Sequence, residues 1–160
     1  MERMMSMDDL AHVREAGLKK QQQAKYIINV CFGAGCVSSN CREIKDALTE
    51  SLDKYHLWDQ VIVHETGCIG ACHLGPSMLV EPGSVYYVKL TKENVDAIVK
   101  RHIIDGSIVT TKCYYDEVHE KYVPNIHDID YFKKQEKVVL GNCGQIDYSS
   151  LEDYITRDGY

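Results

Sequence analysis

Four cysteines set in two close pairs constrain this chain more than any other feature of its sequence. Cys31 and Cys36 lie in VCFGAGCVSS, and Cys68 and Cys72 lie in TGCIGACHLGP. Each pair follows a run of β-forming residues, Tyr26–Val30 and Val61–His64, so two neighbouring strands can deliver four thiolates to one end of a sheet. Four residues separate the first pair and three the second, with Gly33, Ala34, Gly35, Gly70 and Ala71 among them. Such small residues let the backbone curl round a bulky inorganic core and point N–H groups at electron-rich sulfur. Soft thiolates favour iron–sulfur clusters, zinc or copper, and four of them complete the shell of a [2Fe-2S] cluster. A structural zinc site takes four cysteines as well, although its pairs are more often separated by two residues. A dithiol catalyst would need Cys-x-x-Cys at a helix start, a spacing that neither pair has.

The rest of the chain sets limits on the setting of that site. Its 160 residues, 44% of them hydrophobic, can bury one core of ordinary size and leave residues for a tail. A formal net charge of −6 supplies no basic stripe for phosphates and argues against nucleic acid or an anionic membrane as the main partner. No apolar run approaches the roughly 20 residues of a membrane span. MERMMSMDDL is too polar for a secretory signal, so a cytoplasmic location is expected. Seven cysteines in such a chain suggest metal ligation plus a few free thiols, not a disulfide framework.

An amphipathic leading helix is predicted from Ser6 to about Gln23, with its packing partner undetermined. The strand YIINVCF follows, then a glycine-rich turn. Asn40 and Glu43 have the form of a capping box ahead of Ile44, Ala47, Leu48, Leu52 and Tyr55 at helical spacing. Gln60–Glu65 reads as a second strand, placed for parallel pairing through a crossover. Ser77–Glu81 and Val85–Leu90 read as an antiparallel hairpin turning at Pro82-Gly83-Ser84. Thr91 is placed to cap a helix that runs to a stop at Asp105-Gly106. The order β-α-β-β-β-α after a leading helix is that of a thioredoxin-like α/β domain. Residues 107–146 show strand-like scraps without a period, and a short helix starts at Ser149-Ser150-Leu151-Glu152.

CFGAGCVSS, TGCIGACHLGP, the hairpin and the VDAIVKRHIIDG helix together resemble the thioredoxin-like [2Fe-2S] ferredoxin domain of NADH dehydrogenase and of NAD(P)-linked hydrogenases, a group that includes electron-bifurcating enzymes. The resemblance covers about residues 25–106. The tail YFKKQEKVVLGNCGQIDYSSLEDYITRDGY further resembles the opening of the flavin- and NADH-binding subunit of the same enzymes. Three parts are implied: residues 1–24 as a leading helix, residues 25–106 as the [2Fe-2S] domain, and residues 107–160 as a linker and the start of a flavin domain. The resemblance places Cys31, Cys36, Cys68 and Cys72 on the cluster ligands. It implies FMN and NAD(P)H only in a domain downstream, other oxidoreductase subunits as partners, and no catalytic residue within this chain.

The implied role is one-electron transfer between flavin or other iron–sulfur centres and a partner, with homo-oligomers also allowed. A zinc-stabilised interaction domain without a redox role is the alternative. Cys41 reads as an apolar filler, and Cys113 and Cys143 as tail residues that do not bind metal. His64 and His73 flank the second pair and are expected either to face solvent or to hydrogen-bond to sulfur. Residues 107–160 are expected to be mobile, to fold back on the body or to mediate self-association, with proteases cutting first between Gly106 and Lys133.

Overall fold

The computed structural model describes residues 6–160, so residues 1–5 of the expected leading segment 1–24 lie outside the described part. Helix α1, Met7–Gln23, starts at a capping box in which the Ser6 hydroxyl accepts from Asp9 N–H and the Asp9 carboxylate accepts from Ser6 N–H. None of its residues is buried. Its partner is the C-terminal helix α6, Leu151–Thr156, where a Cβ at Gly17 would overlap the Thr156 hydroxyl and Arg14 pairs with Asp158 at 2.7 Å.

Strand β1, Tyr26–Cys31, leads through the short helix α2, Ala34–Ser38, and helix α3, Cys41–Lys54, to β2, Val61–Thr66. β3, Met78–Glu81, and β4, Val85–Tyr87, form the expected hairpin. The sheet order is β2-β1-β3-β4, with β1 and β2 parallel and the other pairs antiparallel. β1 has a partner on both sides. Helix α4, Lys92–Ile98, continues as a π-helix over Val99–Ile104 and stops before Gly106, whose φ of +71° suits glycine.

The strands bury both faces of the sheet, and the alternation of side chains shows how. Ile28, Val30, Met78, Val80, Val85 and Tyr87 point into a core shared with α3 and α4. Leu79 and Tyr86 point the other way, into a second core with Cys31, Cys36, Ile69 and Leu74. Val123, Ile126 and Ile129 from beyond residue 107 close that second core. The tail folds back on the body. It forms a hairpin of β5, Tyr114–Asp116, and β6, Lys121–Val123, and then helix α5, Asp130–Lys133. Isolated bridges Tyr87↔Cys113 and Val85↔Asn125 stitch this segment to β4.

Some local expectations are corrected. Asn40 adopts φ +62° and makes no side-chain cap bond, because the chain turns sharply from the end of α2 into α3 and Asn is one of the few residues that tolerate the left-handed region. Thr91 occupies the N-cap position of α4 without a side-chain bond to the helix backbone. The strand expected over Val85–Leu90 ends at Tyr87, where Val88 N–H turns to Lys112 O and Lys89 N–H to Leu74 O.

Candidate metal centre

Both cysteine loops leave the same edge of the sheet, because β1 and β2 run parallel and their last residues, Cys31 and Thr66, are register partners. Cys31 stands at the end of β1, its N–H donating to Ser77 O at 3.0 Å, and Phe32 N–H donates to Thr66 O at 2.8 Å. Cys36 lies within α2, and both Cys31 and Cys36 are 2% exposed. Cys68 is half-buried and Cys72, opening a 3₁₀ turn over Cys72–Leu74, is exposed. All four cysteines sit around the same loops, in two pairs. Cys68 and Cys72 have their sulfurs 3.7 Å apart, and Cys36 lies close enough to Cys31 for its thiol to favour a thiolate there.

Glycines make this approach possible. A Cβ at Gly33 would come 2.7 Å from Cys68 Cβ and 3.0 Å from its Cα. One at Gly35 would come 3.0 Å from Cys72 Cβ, and one at Gly75 would come 2.8 Å from Cys36 Sγ. The first loop therefore nests its glycines directly against the second pair. Gly75 closes the ring from behind.

Electrostatics distinguish the sulfurs. The Cys36 thiol, with the Ile69 and Gly33 N–H groups and Ser77, holds Cys31 down to about 6 against the cost of burial. Cys36 is pushed up, chiefly because it donates to Cys31 and is itself buried. Cys68 is raised by burial and by Cys72, against an opposing bond from the Gly70 N–H. The pattern is an electron-rich centre at Cys31 ringed by peptide donors. A thiolate of that kind is a ready metal ligand.

The arrangement bears on which metal the residues suit. A single tetrahedral zinc, with Zn–S of about 2.3 Å, draws all four sulfurs to within about 3.8 Å of one another. Two pairs facing each other across a glycine seam, with N–H groups directed at sulfur, suit a centre with two metal atoms, one per pair.

Other residues singled out from the sequence take different places. Cys41 is fully buried in the second core, and burial raises its thiol. Cys113 is buried beside Val109 O, which its thiol approaches at 3.7 Å, and burial pushes it up to about 12. Cys143 lies against the Cys68 loop, its Sγ 3.1 Å from where a Cβ on Gly67 would stand. His73 is exposed. His64 neither faces solvent nor reaches sulfur: it is 5% exposed, with Nδ1 3.0 Å from Asn29 Oδ1 and Nε2 3.2 Å from Asp153 Oδ2. The side chain that alternates toward the second sheet face meets α6 there, which the local sequence gives no means of foreseeing.

Ser77 is a site residue that the sequence marks only as the start of a strand. It is 1% exposed, faces Cys31 and Cys36, and accepts a bond from the Tyr86 hydroxyl at 3.2 Å. A lone serine at the start of an apolar strand carries no other signal.

Comparison with known proteins falls on this same region. The family profile of thioredoxin-like [2Fe-2S] ferredoxins matches residues 16–102. A 2Fe-2S ferredoxin of Clostridium pasteurianum is 40% identical over 74 residues, which is 46% of this chain and 72% of that protein. A 2Fe-2S ferredoxin of Aquifex aeolicus (strain VF5) is 33% identical over 75 residues, 46% of this chain and 68% of that protein. The crystal structure of a thioredoxin-like [2Fe-2S] ferredoxin from Aquifex aeolicus superposes with a TM-score of 0.52 at 28% identity, covering 56% of this chain and 95% of that one.

Proposed function

Because the chain belongs to the thioredoxin-like [2Fe-2S] ferredoxin family, we propose that it is an electron-transfer module holding one [2Fe-2S] cluster through Cys31, Cys36, Cys68 and Cys72. The observation that carries this reading is the pairing of the four sulfurs across the Gly33–Gly35 seam, with peptide N–H groups of Gly33, Ile69 and Gly70 directed at them. Such a cluster, when bound, accepts and releases one electron with no bond made or broken at the protein. The chain's own residues fix the ligands, exclude water from Cys31 and Cys36, and leave Cys72 as the exposed thiol. Cys72 and its turn thus mark the edge at which a redox partner comes closest.

The wider setting we propose is an NAD(P)H-linked oxidoreductase of the hydrogenase or NADH dehydrogenase type. Residues 1–24 then form a leading helix, 25–106 the electron-transfer domain, and 107–160 the entry to a flavin- and NADH-binding domain. The resemblance of the tail to the opening of such a domain supports this. No glycine-rich phosphate loop follows a strand in these residues, so the chain by itself binds neither FMN nor NAD(P)H. Other subunits or domains of the complex are its partners. No described helix is long and apolar enough to cross a membrane.

The test is chemical analysis of the chain purified without oxygen. A brown protein with about two irons and two acid-labile sulfides, giving a rhombic paramagnetic signal on one-electron reduction, is the expected result. One zinc and no sulfide would overturn it. NADH added to the chain alone should leave the colour unchanged, and bleaching by NADH would refute the assignment of flavin and dinucleotide to another domain.

A further inference from the structure

The family match ends at residue 102, yet residues well beyond it close over the Cys68–Cys72 loop. The Tyr131 hydroxyl donates to Gly70 O at 3.0 Å, the Lys137 ammonium to Ile69 O at 2.9 Å, and Gly144 N–H to Thr66 Oγ1 at 2.7 Å. Lys137 Nζ also lies 5.7 Å from the centre of the Phe132 ring, which meets Tyr86 edge-on. One ammonium is thus held between a carbonyl and an aromatic face beside the candidate ligands.

The carbonyl it holds is a particular one. Ile69 O and the Gly70 N–H belong to the same peptide group, and that N–H is directed at the Cys68 sulfur, where it favours the charged form. A cation on the oxygen end of a peptide draws charge from its N–H end and strengthens the bond the N–H makes. Gly70 has φ +119°, a conformation that side chains disfavour, so glycine permits the turn in which the oxygen meets Lys137 and the N–H meets sulfur. Ile69 N–H is directed at Cys31, so the two peptides on either side of Ile69 serve both cysteine pairs.

We propose that Lys137 is a positioning residue for the second cysteine loop, acting through the Ile69–Gly70 peptide to strengthen the N–H···S bond to Cys68 and thereby to raise the reduction potential of the centre. The proposal rests on the assignment of Cys31, Cys36, Cys68 and Cys72 as [2Fe-2S] ligands. Reduction adds negative charge, which falls on sulfur as well as iron, so stronger donors and a nearby cation favour the reduced state. The tail thereby tunes a site whose ligands all come from the body.

The experiment uses the full chain with its cluster, as wild type, Lys137→Met, Lys137→Arg and Lys134→Met. Lys134 is the control, being paired at 3.8 Å with Asp130 on the exposed side of α5. In redox titrations followed by visible absorbance, Lys137→Met should lower the one-electron reduction equilibrium about tenfold, a midpoint lower by about 59 mV. Lys137→Arg should restore most of the difference, and Lys134→Met should match wild type. Amide exchange at Gly70 should be faster in Lys137→Met, in the metal-free chain as well. An unchanged potential in Lys137→Met, or an equal drop in the arginine variant, overturns the proposal. A wild-type chain that takes up zinc and no sulfide overturns the cluster assignment and with it the effect on potential. Exchange at Gly70 that ignores residue 137 overturns the positioning role whatever metal is bound.

Discussion

The loop of Cys31 and Cys36 is built into the body of the protein, whereas the loop of Cys68 and Cys72 leans on residues far along the chain. Cys31 belongs to a strand with neighbours on both sides, and Cys36 to a helix that runs into α3. The second loop has no strand or α-helix of its own beyond a single 3₁₀ turn. Its carbonyls at Ile69 and Gly70 are held by Lys137 and Tyr131, and its entry at Glu65 and Thr66 is tied to Asp147, Tyr148 and Gly144. The difference separates rigidity from adjustability. Buried backbone bonds fix one pair, while a cover that could move or be altered without unfolding the sheet fixes the other.

Replacing the cysteines one at a time gives the largest contrast. Serine at any of Cys31, Cys36, Cys68 or Cys72 should abolish stable cluster binding, read as lost visible absorbance and iron. The two pairs should then diverge in the stability of the metal-free chain. A hydroxyl at Cys31 or Cys36 is buried and costs about 1–3 kcal/mol where it lacks a full set of partners, whereas one at exposed Cys72 costs almost nothing. Serine at Cys113 or Cys143 should leave iron content unchanged. Equal unfolding midpoints for Cys36→Ser and Cys72→Ser would remove the distinction between a built-in loop and a covered one.

The seam between the loops comes next. Gly33→Ala brings a methyl group against the backbone of Cys68, which cannot swing aside as a side-chain tip would, and Gly75→Ala brings one against Cys36 Sγ. Overpacking of this kind costs about 1–3 kcal/mol and should also lower cluster retention. Gly35→Ala, which meets Cys72 Cβ at 3.0 Å on the exposed side, should be milder. Thermal unfolding with iron analysis ranks the three, and a Gly35 variant as damaged as the Gly33 variant would show that the second loop is no freer than the first.

The same division explains what could be read from the sequence. The body was legible because its signals are local: strands rich in valine and isoleucine, a helix with apolar residues at 3.6 spacing, and two cysteine pairs set among glycines. Its parallel β1–β2 pair brought both cysteine loops to one edge, as the strand–helix–strand order implied. The tail was not legible because each of its short pieces contributes only one or two anchors, Val123, Ile126 and Ile129, and these acquire meaning only against Leu79, Tyr86 and Ile69. Asn40 and His64 failed for a related reason. Asn40 is set by the sharp α2–α3 turn, and His64 by a helix lying 89 residues later at Asp153. Lys137 and Tyr131 belong to an exposed polar run in which nothing distinguishes a side chain that reaches a carbonyl from one that faces water.

Proteolysis should sharpen the contrast at smaller cost. The segment most open to attack is not the expected stretch before Lys133 as a whole, since β5, β6 and the anchors around Ile126 are packed. It is the run 134–140, where Val138 is 84% and Val139 is 92% exposed. Trypsin should cut first after Lys134 or Lys137. The nicked chain should exchange the amides of Ile69–Ala71 faster and leave those of Gly33–Cys36 as they were. Parallel loss of protection in both loops would mean that the tail braces the whole site.

The smallest expected effect lies where the end of the chain meets β2. Burial pushes His64 below its ordinary value, only partly offset by the Asp153 and Asp147 carboxylates, even though Asp153 lies 3.2 Å from its ring. Burial prevails because the ring is almost closed off from water, and one carboxylate at that range does not repay the lost hydration. A histidine whose folded value is below its unfolded value of about 6.5 binds protons more readily when unfolded. Its contribution to stability is therefore present above about pH 6.5 and is lost as the pH falls through the lowered folded value. Acid should loosen α6 and the Asp147–Tyr148 turn from Glu65, and so reach the entry of the second cysteine loop before the first. His64→Gln keeps a polar side chain at this position without a proton to gain. Its unfolding midpoint should be flatter between pH 7 and 5 than that of the wild type, and parallel slopes in the two proteins would place the acid response in other groups.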